Sequence, residues 1–399
     1  MFEKATAPLK CEALMRLFDS ELKLTASQRE DMLALWESIG PAREICFLDI
    51  ETTGFSRLYD SVYLIGIAVY VDGAFHIKQF LAEELKDEGA LLRRTLAVLT
   101  RYQKIVTYNG DMFDLPFLKE RCYRFLRDPA LAEALGRIES VDLFRQFRGY
   151  RSLFGWPDLK LKTVEASLGM ERRDAFNGGQ LIDVFHEYAL TGDERLESLL
   201  LLHNYEDVQN LCGIVKVQAF AEDLKKGRAP EAELADDTLK VYWNLNFPLS
   251  LETKSKDGTL TFWFEAGSPL FAIRLSRASE PVKYYLPNPK DYYYLPETGE
   301  IVHKSLAFDV PSALRRTAKA PECFLLQKEG TFLRTPEPSE EVKSACQEQA
   351  ITLPKIYRTS PKGETYMEAG ELGRFIDKMN DENMSALNLY IHQMIDLIF

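Results

Sequence analysis

The spacing of apolar and polar positions changes several times along this chain. Over residues 8–39 apolar side chains recur at helical intervals, including Leu14, Leu17, Leu33 and Trp36, up to the break at Gly40-Pro41. This predicts a helical lead-in. From residue 44 the period shortens. Residues 44–50 read as a strand, 61–70 form a nearly continuous apolar run, and Asp72-Gly73 turns the chain into a third strand over 74–81. A helix over about 87–101, a short strand at 104–108, a helix over about 115–127 and a strand at 138–143 come next, with helix from there to about 225.

Three antiparallel strands, a crossover helix, a parallel strand, a helix and another strand make one compact α/β unit. Lys225-Lys226-Gly227-Arg228-Ala229-Pro230 and the acidic stretch to Asp237 then read as a linker. Beyond it the pattern is β: 260–266, 270–276, 282–286, and 291–295 joined through Pro296-Glu297-Thr298-Gly299 to 301–308. Two helices, 368–379 and 384–398, close the chain. The expected division is a helical segment at 1–40, an α/β domain at 41–225, a linker at 226–238 and a β-rich domain at 239–399 that ends in helices. That last domain has no readable motif, and Tyr284, Tyr285 and Tyr292 to Tyr294 suit a half-buried hairpin better than a stacking platform.

Composition narrows the setting. A chain of 399 residues, 46% of them hydrophobic, can fill two cores, and no run of about 18 apolar residues suggests a membrane span. Glu3, Lys4 and Lys10 interrupt the start, where a secretory leader would be apolar. The six cysteines form no Cys-x-x-Cys pair, which argues for buried thiols in a reducing cytoplasm and against cysteine-bound zinc. The formal charge of −12 disfavours a broad basic surface for long nucleic acid, but not a grip on a short stretch.

Three segments carry candidate chemistry. In Phe47-Leu48-Asp49-Ile50-Glu51-Thr52-Thr53-Gly54 an apolar strand runs into two carboxylates at i and i+2. These project from one face, with Cα atoms about 6.7 Å apart. Adjacent like charges need a counter-charge, which divalent cations supply; a solvated strand end is the plainer alternative. In Thr107-Tyr108-Asn109-Gly110-Asp111-Met112-Phe113-Asp114 a strand ends in Asn-Gly and Asp114 opens an apolar helix, where an aspartate is also a common cap. In Leu202-His203-Asn204-Tyr205-Glu206-Asp207-Val208 the histidine and Asp207 stand at i and i+4, on the same helical face as Leu196, Leu200, Leu211 and Ile214. A satisfied core pair is the alternative there. Taken together, Asp49, Glu51, Asp114 and Asp207 suit oxygen-seeking Mg²⁺ or Mn²⁺, two ions in all, as used in phosphodiester cleavage.

These segments resemble the three motifs of the DEDD superfamily of 3′–5′ exonucleases: Asp49-Ile50-Glu51-Thr52-Thr53-Gly54 the first, Asn109-Gly110-Asp111-Met112-Phe113-Asp114 the second, His203 to Asp207 the third. Within the superfamily the chain is most similar to the bacterial YprB-type domains, which share the Leu161-Lys162-Thr163-Val164-Glu165 helix and the Asn204 to Val208 element. The resemblance covers about residues 44–217. It implies an α/β ribonuclease H-like fold, a mixed five-stranded sheet flanked by helices, in this chain preceded by the helical lead-in and followed by the β-rich domain. It also implies that Asp49, Glu51, Asp114 and Asp207 hold the metals and that His203 orients or deprotonates the attacking water. By the same resemblance the backbone around Thr52 and Thr53 would meet the terminal nucleotide, and Asn109 and Phe113 would line the pocket. The third motif departs from the superfamily, which shows His-x4-Asp or Tyr-x3-Asp; here histidine stands at the tyrosine spacing.

Between the second and third motifs Arg145, Arg148, Arg151, Lys160, Lys162, Arg172 and Arg173 alternate with Phe144, Phe147, Tyr150, Phe154 and Trp156. Phosphate contacts from Arg148 and Arg151 with aromatic stacking would hold a single strand; solvated arginines over an aromatic core fit the same pattern. The sequence thus points to a cytoplasmic metal-dependent nuclease, expected to be a 3′–5′ exonuclease acting on single-stranded RNA or DNA, with a non-enzymatic nucleic-acid or protein-binding module on the same fold as the alternative. Exo- and endonucleolytic action both remain open at this level.

Overall fold

The computed structural model describes residues 15–399, apart from 177, 230, 269 and 383. Two compact units divide the chain: residues up to 151 with 156–219, and residues 152–155 with 220–399.

The first unit is built on a six-stranded sheet. Along this part of the chain run β1 (Met15–Glu21), α1 (Ala26–Glu37), β2 (Ile45–Thr52), β3 (Val62–Val71), β4 (Ala74–Ala82), α2 (Glu88–Leu99), β5 (Lys104–Thr107), α3 (Asp114–Arg121), α4 (Pro129–Gly136), β6 (Glu139–Asp142), α5 (Leu143–Phe147), α6 (Arg151–Phe154), α7 (Leu161–Ser167), α8 (Gly178–Thr191) and α9 (Glu194–Lys226); α6 after Arg151 and α9 from residue 220 belong to the second unit. The sheet order is β1-β4-β3-β2-β5-β6. Strands β1 to β4 pair antiparallel, while β2 with β5 and β5 with β6 are parallel. This is a mixed ribonuclease H-like sheet with flanking helices.

Two expectations need correction. The helical lead-in is partly a strand: Met15–Glu21 pairs along its whole length with β4 and makes the sheet six-stranded, not five-stranded. Its apolar residues are half exposed, as suits an edge strand, so the free hydrogen-bonding edge of β4 outweighs a weak helical pattern. The helical part begins only at Ala26, behind a Thr25–Gln28 capping box; residues 1–14 lie outside the described residues.

The core sits on both faces of β2 and β3, which are buried along almost their full lengths. Leu48, Ile50, Ile65, Ile67, Leu92, Leu96, Phe117 and Leu118 pack on one side. Tyr63, Leu81, Phe185 and Leu200 pack on the other, with Tyr63 and Phe185 stacked at 4.0 Å. Within the first face lies one charged pair: Arg121 donates Nε to Glu88 Oε1 at 2.7 Å, and the same oxygen accepts the Val62 amide at 3.0 Å.

The second unit is β-rich. One antiparallel sheet has the order β7-β8-β11-β10-β9, from β7 (Glu231–Ala235), β8 (Thr238–Tyr242), β9 (Leu251–Lys254), β10 (Leu260–Phe264) and β11 (Leu270–Leu275). Residues 231–235 are therefore strand where a linker was expected. Two further sheets, of five and three strands, include β12 (Val282–Tyr285), β13 (Tyr292–Leu295) and β14 (Glu300–His303). The strand expected over 301–308 ends at His303, and the chain then turns through a single 3-10 turn. Three helices follow, α10 (Glu340–Glu348), α11 (Ala369–Glu382) and α12 (Met384–Ile395). Cys46, Cys122, Cys212, Cys323 and Cys346 are buried free thiols; Cys11 lies outside the described residues. Among the described residues no helix is long and apolar enough to cross a membrane.

Candidate metal centre

Strand β2 outruns its neighbour. Its parallel pairing with β5 covers only Ile45 to Phe47, so Asp49, Ile50 and Glu51 extend past the last rung. The Ile50 amide, which a longer β5 would have taken, donates instead to Asp114 Oδ1 at 3.1 Å. A backbone group that needs a partner thereby fixes the third acid beside the first two. Asp114 opens α3 after a turn in which Asn109 has φ 65, a left-handed conformation asparagine tolerates. Asp142 ties that turn down, accepting from the Asn109 amide at 2.9 Å and the Asp111 amide at 3.2 Å.

On β3, Gly66 lies opposite Asp49. A Cβ there would meet Asn204 Oδ1 at 2.2 Å and Val208 Cγ2 at 2.7 Å, so only glycine lets α9 cross the sheet this closely. Asn204 is fully buried. It accepts from Gln79 Nε2 at 2.9 Å and donates to Asp49 Oδ2 at 2.8 Å, which sets its amide orientation. One turn of α9 then presents His203 and Asp207 to the same place. His203 Nε2 stands 3.4 Å from Glu51 Oε1 and 3.3 Å from Asp207 Oδ2. All four predicted acids and His203 therefore converge on one cluster within the first unit.

Residues without a sequence signal complete it. His203 Nδ1 lies 2.7 Å from Oδ2 of Asp174, which is nearly inaccessible. Arg172 pairs its Nε with Glu165 Oε2 at 2.7 Å and donates Nη2 to Asp207 Oδ1. Arg172, one of the basic residues expected near a phosphate grip, instead places its guanidinium among Glu165, Asp174 and Asp207. Arg173 faces Glu206, Lys162 donates to the Phe176 carbonyl, and Arg145 lies 3.7 Å from Asp111. Asp174 falls in an irregular segment between α7 and α8, where no period marks its partner.

Of the remaining predicted residues, Thr52, Thr53 and Phe113 stand next to the acids along the chain, while Arg148 caps the end of α5 and Arg151 opens α6. Thr52 donates its hydroxyl to the Gly54 carbonyl, and Thr53 accepts the Ser61 amide, so both brace the turn after β2. Phe113 packs edge-on against Phe55 at 6.2 Å. Phe55, Tyr59 and Met112 are largely exposed beside it, and Arg57 donates to the Met112 carbonyl. Arg148 is exposed, and Arg151 donates to the carbonyls of Trp156 and Pro157.

The electrostatics are those of an anionic site that Arg172 compensates only in part. Burial pushes the Asp49 carboxyl up to about 7, against the opposing pull of Asn204 and Arg172. Glu51 is raised well above the carboxylate range by burial and by Asp49 and Asp114. Asp114 is raised likewise by burial and by Asp49. His203 is lowered by burial, which outweighs Asp174. Acids that resist ionisation together are short of positive charge. Ligand atoms of Glu51, His203 and Asp207 lie within 4.8 Å of one another. Carboxylates with one imidazole form a donor set that fits Mg²⁺ or, better, Mn²⁺. The residues present therefore fit a divalent ion.

A family model described as the RNase_H superfamily matches residues 46–218. The chain is 26% identical over 219 residues to the uncharacterized protein YprB of Bacillus subtilis (strain 168), covering 51% of each protein. It thus spans about half the length of that curated relative. Among solved structures it is similar to the family B DNA polymerase of the hyperthermophilic archaeon Pyrobaculum calidifontis, at 16% identity and TM-score 0.36 over 88% of this chain and 46% of that one. It is also similar to E. coli Exonuclease I in complex with a dT13 oligonucleotide, at 14% identity and TM-score 0.28 over 55% of this chain and 54% of that one. Both structural likenesses are too distant to transfer chemistry.

Proposed function

With residues 46–218 a ribonuclease H-like domain, we propose that this chain is a DEDD-type 3′–5′ exonuclease that hydrolyses single-stranded RNA or DNA with two Mg²⁺ or Mn²⁺ ions. One observation carries the reading: Asp49, Glu51, Asp114 and Asp207 come from three separate elements to a single, largely buried cluster in which Arg172 is too little positive charge for four acids. Divalent ions held there would supply charge stabilisation to the attacking and leaving oxygens of phosphodiester hydrolysis. The four acids hold them. Asn204 and the Ile50 amide hold Asp49 and Asp114 in place. His203 acts at the same point, because its Nε2 faces Glu51 and Asp207.

Substrate would lie across the rim. Thr52, Thr53 and Asn109 frame the entry for a terminal nucleotide. Phe113, with exposed Phe55 and Tyr59, offers ring faces for unpaired bases, and Arg148 and Arg151 serve the phosphates.

Release from 3′- and 5′-labelled oligonucleotides with Mg²⁺ or Mn²⁺ tests direction and substrate together. Mononucleotides leaving only the 3′ end support the proposal, and Asp49→Ala and Asp207→Ala should each abolish release. Turnover that survives Asp49→Ala would refute the assignment. A non-enzymatic binding module is the second reading. The Arg172 contact favours it, since a guanidinium already neutralises one of the four acids. Oligonucleotide binding without any metal-dependent cleavage would establish it.

A further inference from the structure

We infer that His203 is a nitrogen ligand of the metal at this centre, with Asp174 as the positioning residue that fixes its tautomer. The ion shared by Glu51 and Asp207 would then sit in a mixed nitrogen–oxygen site. The inference rests on reading the acids as a metal centre, and it gives His203 a task other than proton transfer.

The geometry of the imidazole carries the argument. Nδ1 is 2.7 Å from Asp174 Oδ2. Asp174 also receives the Phe176 amide at 3.0 Å and faces Lys162 Nζ at 3.7 Å and Arg172 Nη1 at 3.8 Å. A carboxylate among so many donors is an acceptor, so the ring proton resides on Nδ1 and the lone pair on Nε2. The side chain is 6% exposed, and Nε2 stands within 3.4 Å of two carboxylate oxygens. Lone pair against lone pair is repulsive unless a cation or a shared proton lies between them, and a shared proton would draw the two atoms to hydrogen-bond distance.

The distances select ligation over an ion pair. An imidazolium bonded to either acid would bring N and O to about 2.7–2.9 Å. The observed separations are 3.4 Å to Glu51 and 3.3 Å to Asp207. Two ligand atoms each about 2.1 Å from one ion lie about 3.0–3.4 Å apart between right-angle and tetrahedral geometry. Asp207 is turned for this, since Arg172 takes its Oδ1 and leaves Oδ2 to the cluster. A carboxylate–histidine–metal arrangement is also the usual way a protein orients a ligating imidazole. It accounts for the histidine at the unusual spacing, because i and i+4 place both side chains over one point.

An imidazole ligand favours Mn²⁺ over Mg²⁺, so the site should bind Mn²⁺ at least about tenfold more tightly. Mn²⁺ titration by electron paramagnetic resonance, with pulsed detection of nitrogen coupled to the bound ion, tests the assignment on the full chain. Native protein should show a directly bound nitrogen whose signature changes when the histidines carry ¹⁵N. That signature should vanish in His203→Gln, and Asp174→Asn should lose about 10–100-fold in Mn²⁺ affinity. The isotope comparison uses native protein and stands even where a variant misfolds. Stoichiometric Mn²⁺ that is lost in Glu51→Gln but shows no histidine coupling would overturn the inference and leave the acid centre standing. No stoichiometric Mn²⁺ in native protein would overturn both.

Discussion

Asp49 keeps its proton to about 7 in the folded protein against 3.8 for a free carboxyl, with burial as the main cause. Between those values the folded state binds more protons than the unfolded state, so stability falls as pH rises. Glu51 and Asp114 shift in the same direction and extend the loss upward. Metal-free protein should therefore melt at progressively lower temperature as pH is raised from 5 to 8, and Mn²⁺ should restore stability most at the alkaline end. Thermal melts with EDTA and with Mn²⁺ read this directly; a melting temperature that climbs with pH in EDTA would contradict it. Of the residues involved, the four acids were legible from strand and helix periods. Asp174 and the pairing of Arg172 were not, because nothing in their neighbourhood repeats.

At the scale of elements, the centre depends on how closely α9 approaches the sheet. Gly66→Ala would drive a methyl group into Asn204 and Val208. Overpacking of this kind costs about 1–3 kcal/mol. Because Asn204 holds Asp49, the variant should also lose metal affinity out of proportion to its stability, measured by Mn²⁺ titration beside urea unfolding. The Glu88–Arg121 pair joins α2 to α3 and also receives β3 through the Val62 amide. Glu88 is fully buried, so Glu88→Ala strands the guanidinium and should destabilise by about 3–5 kcal/mol in urea unfolding. Most elements of the first unit were readable from period alone. Among the exceptions are α4, which the expected elements do not include, and β1, an edge strand with half-exposed apolar residues whose conformation is dictated by β4.

At the scale of the molecule, the formal charge of −12 opposes nucleic acid everywhere except at a local grip. Many of the basic residues near the centre are already paired with acids, as Arg172 and Arg173 are. Few phosphates can then be neutralised. Oligonucleotide affinity should fall only about tenfold between 50 and 200 mM salt, against the 10³–10⁵ of proteins that make six to ten phosphate contacts. Fluorescence anisotropy across that range checks it. Arg148→Glu and Arg151→Glu should weaken binding and flatten the salt slope; unchanged affinity in both would remove them from the substrate path.

The sequence by itself determined which ionisable side chains share a face, because i, i+2 on β2 (Asp49, Glu51) and i, i+4 on α9 (His203, Asp207) are consequences of local backbone geometry. It likewise determined the run of strands and helices that carries them. Only the tertiary structure decided that β2 outruns β5, that Gly66 admits α9, and that Asp174 and Arg172 reach His203 and Asp207. These contacts join positions tens to more than a hundred residues apart, and such spacing has no period. They exist because buried polar groups must find partners, and the nearest partner in space is set by packing.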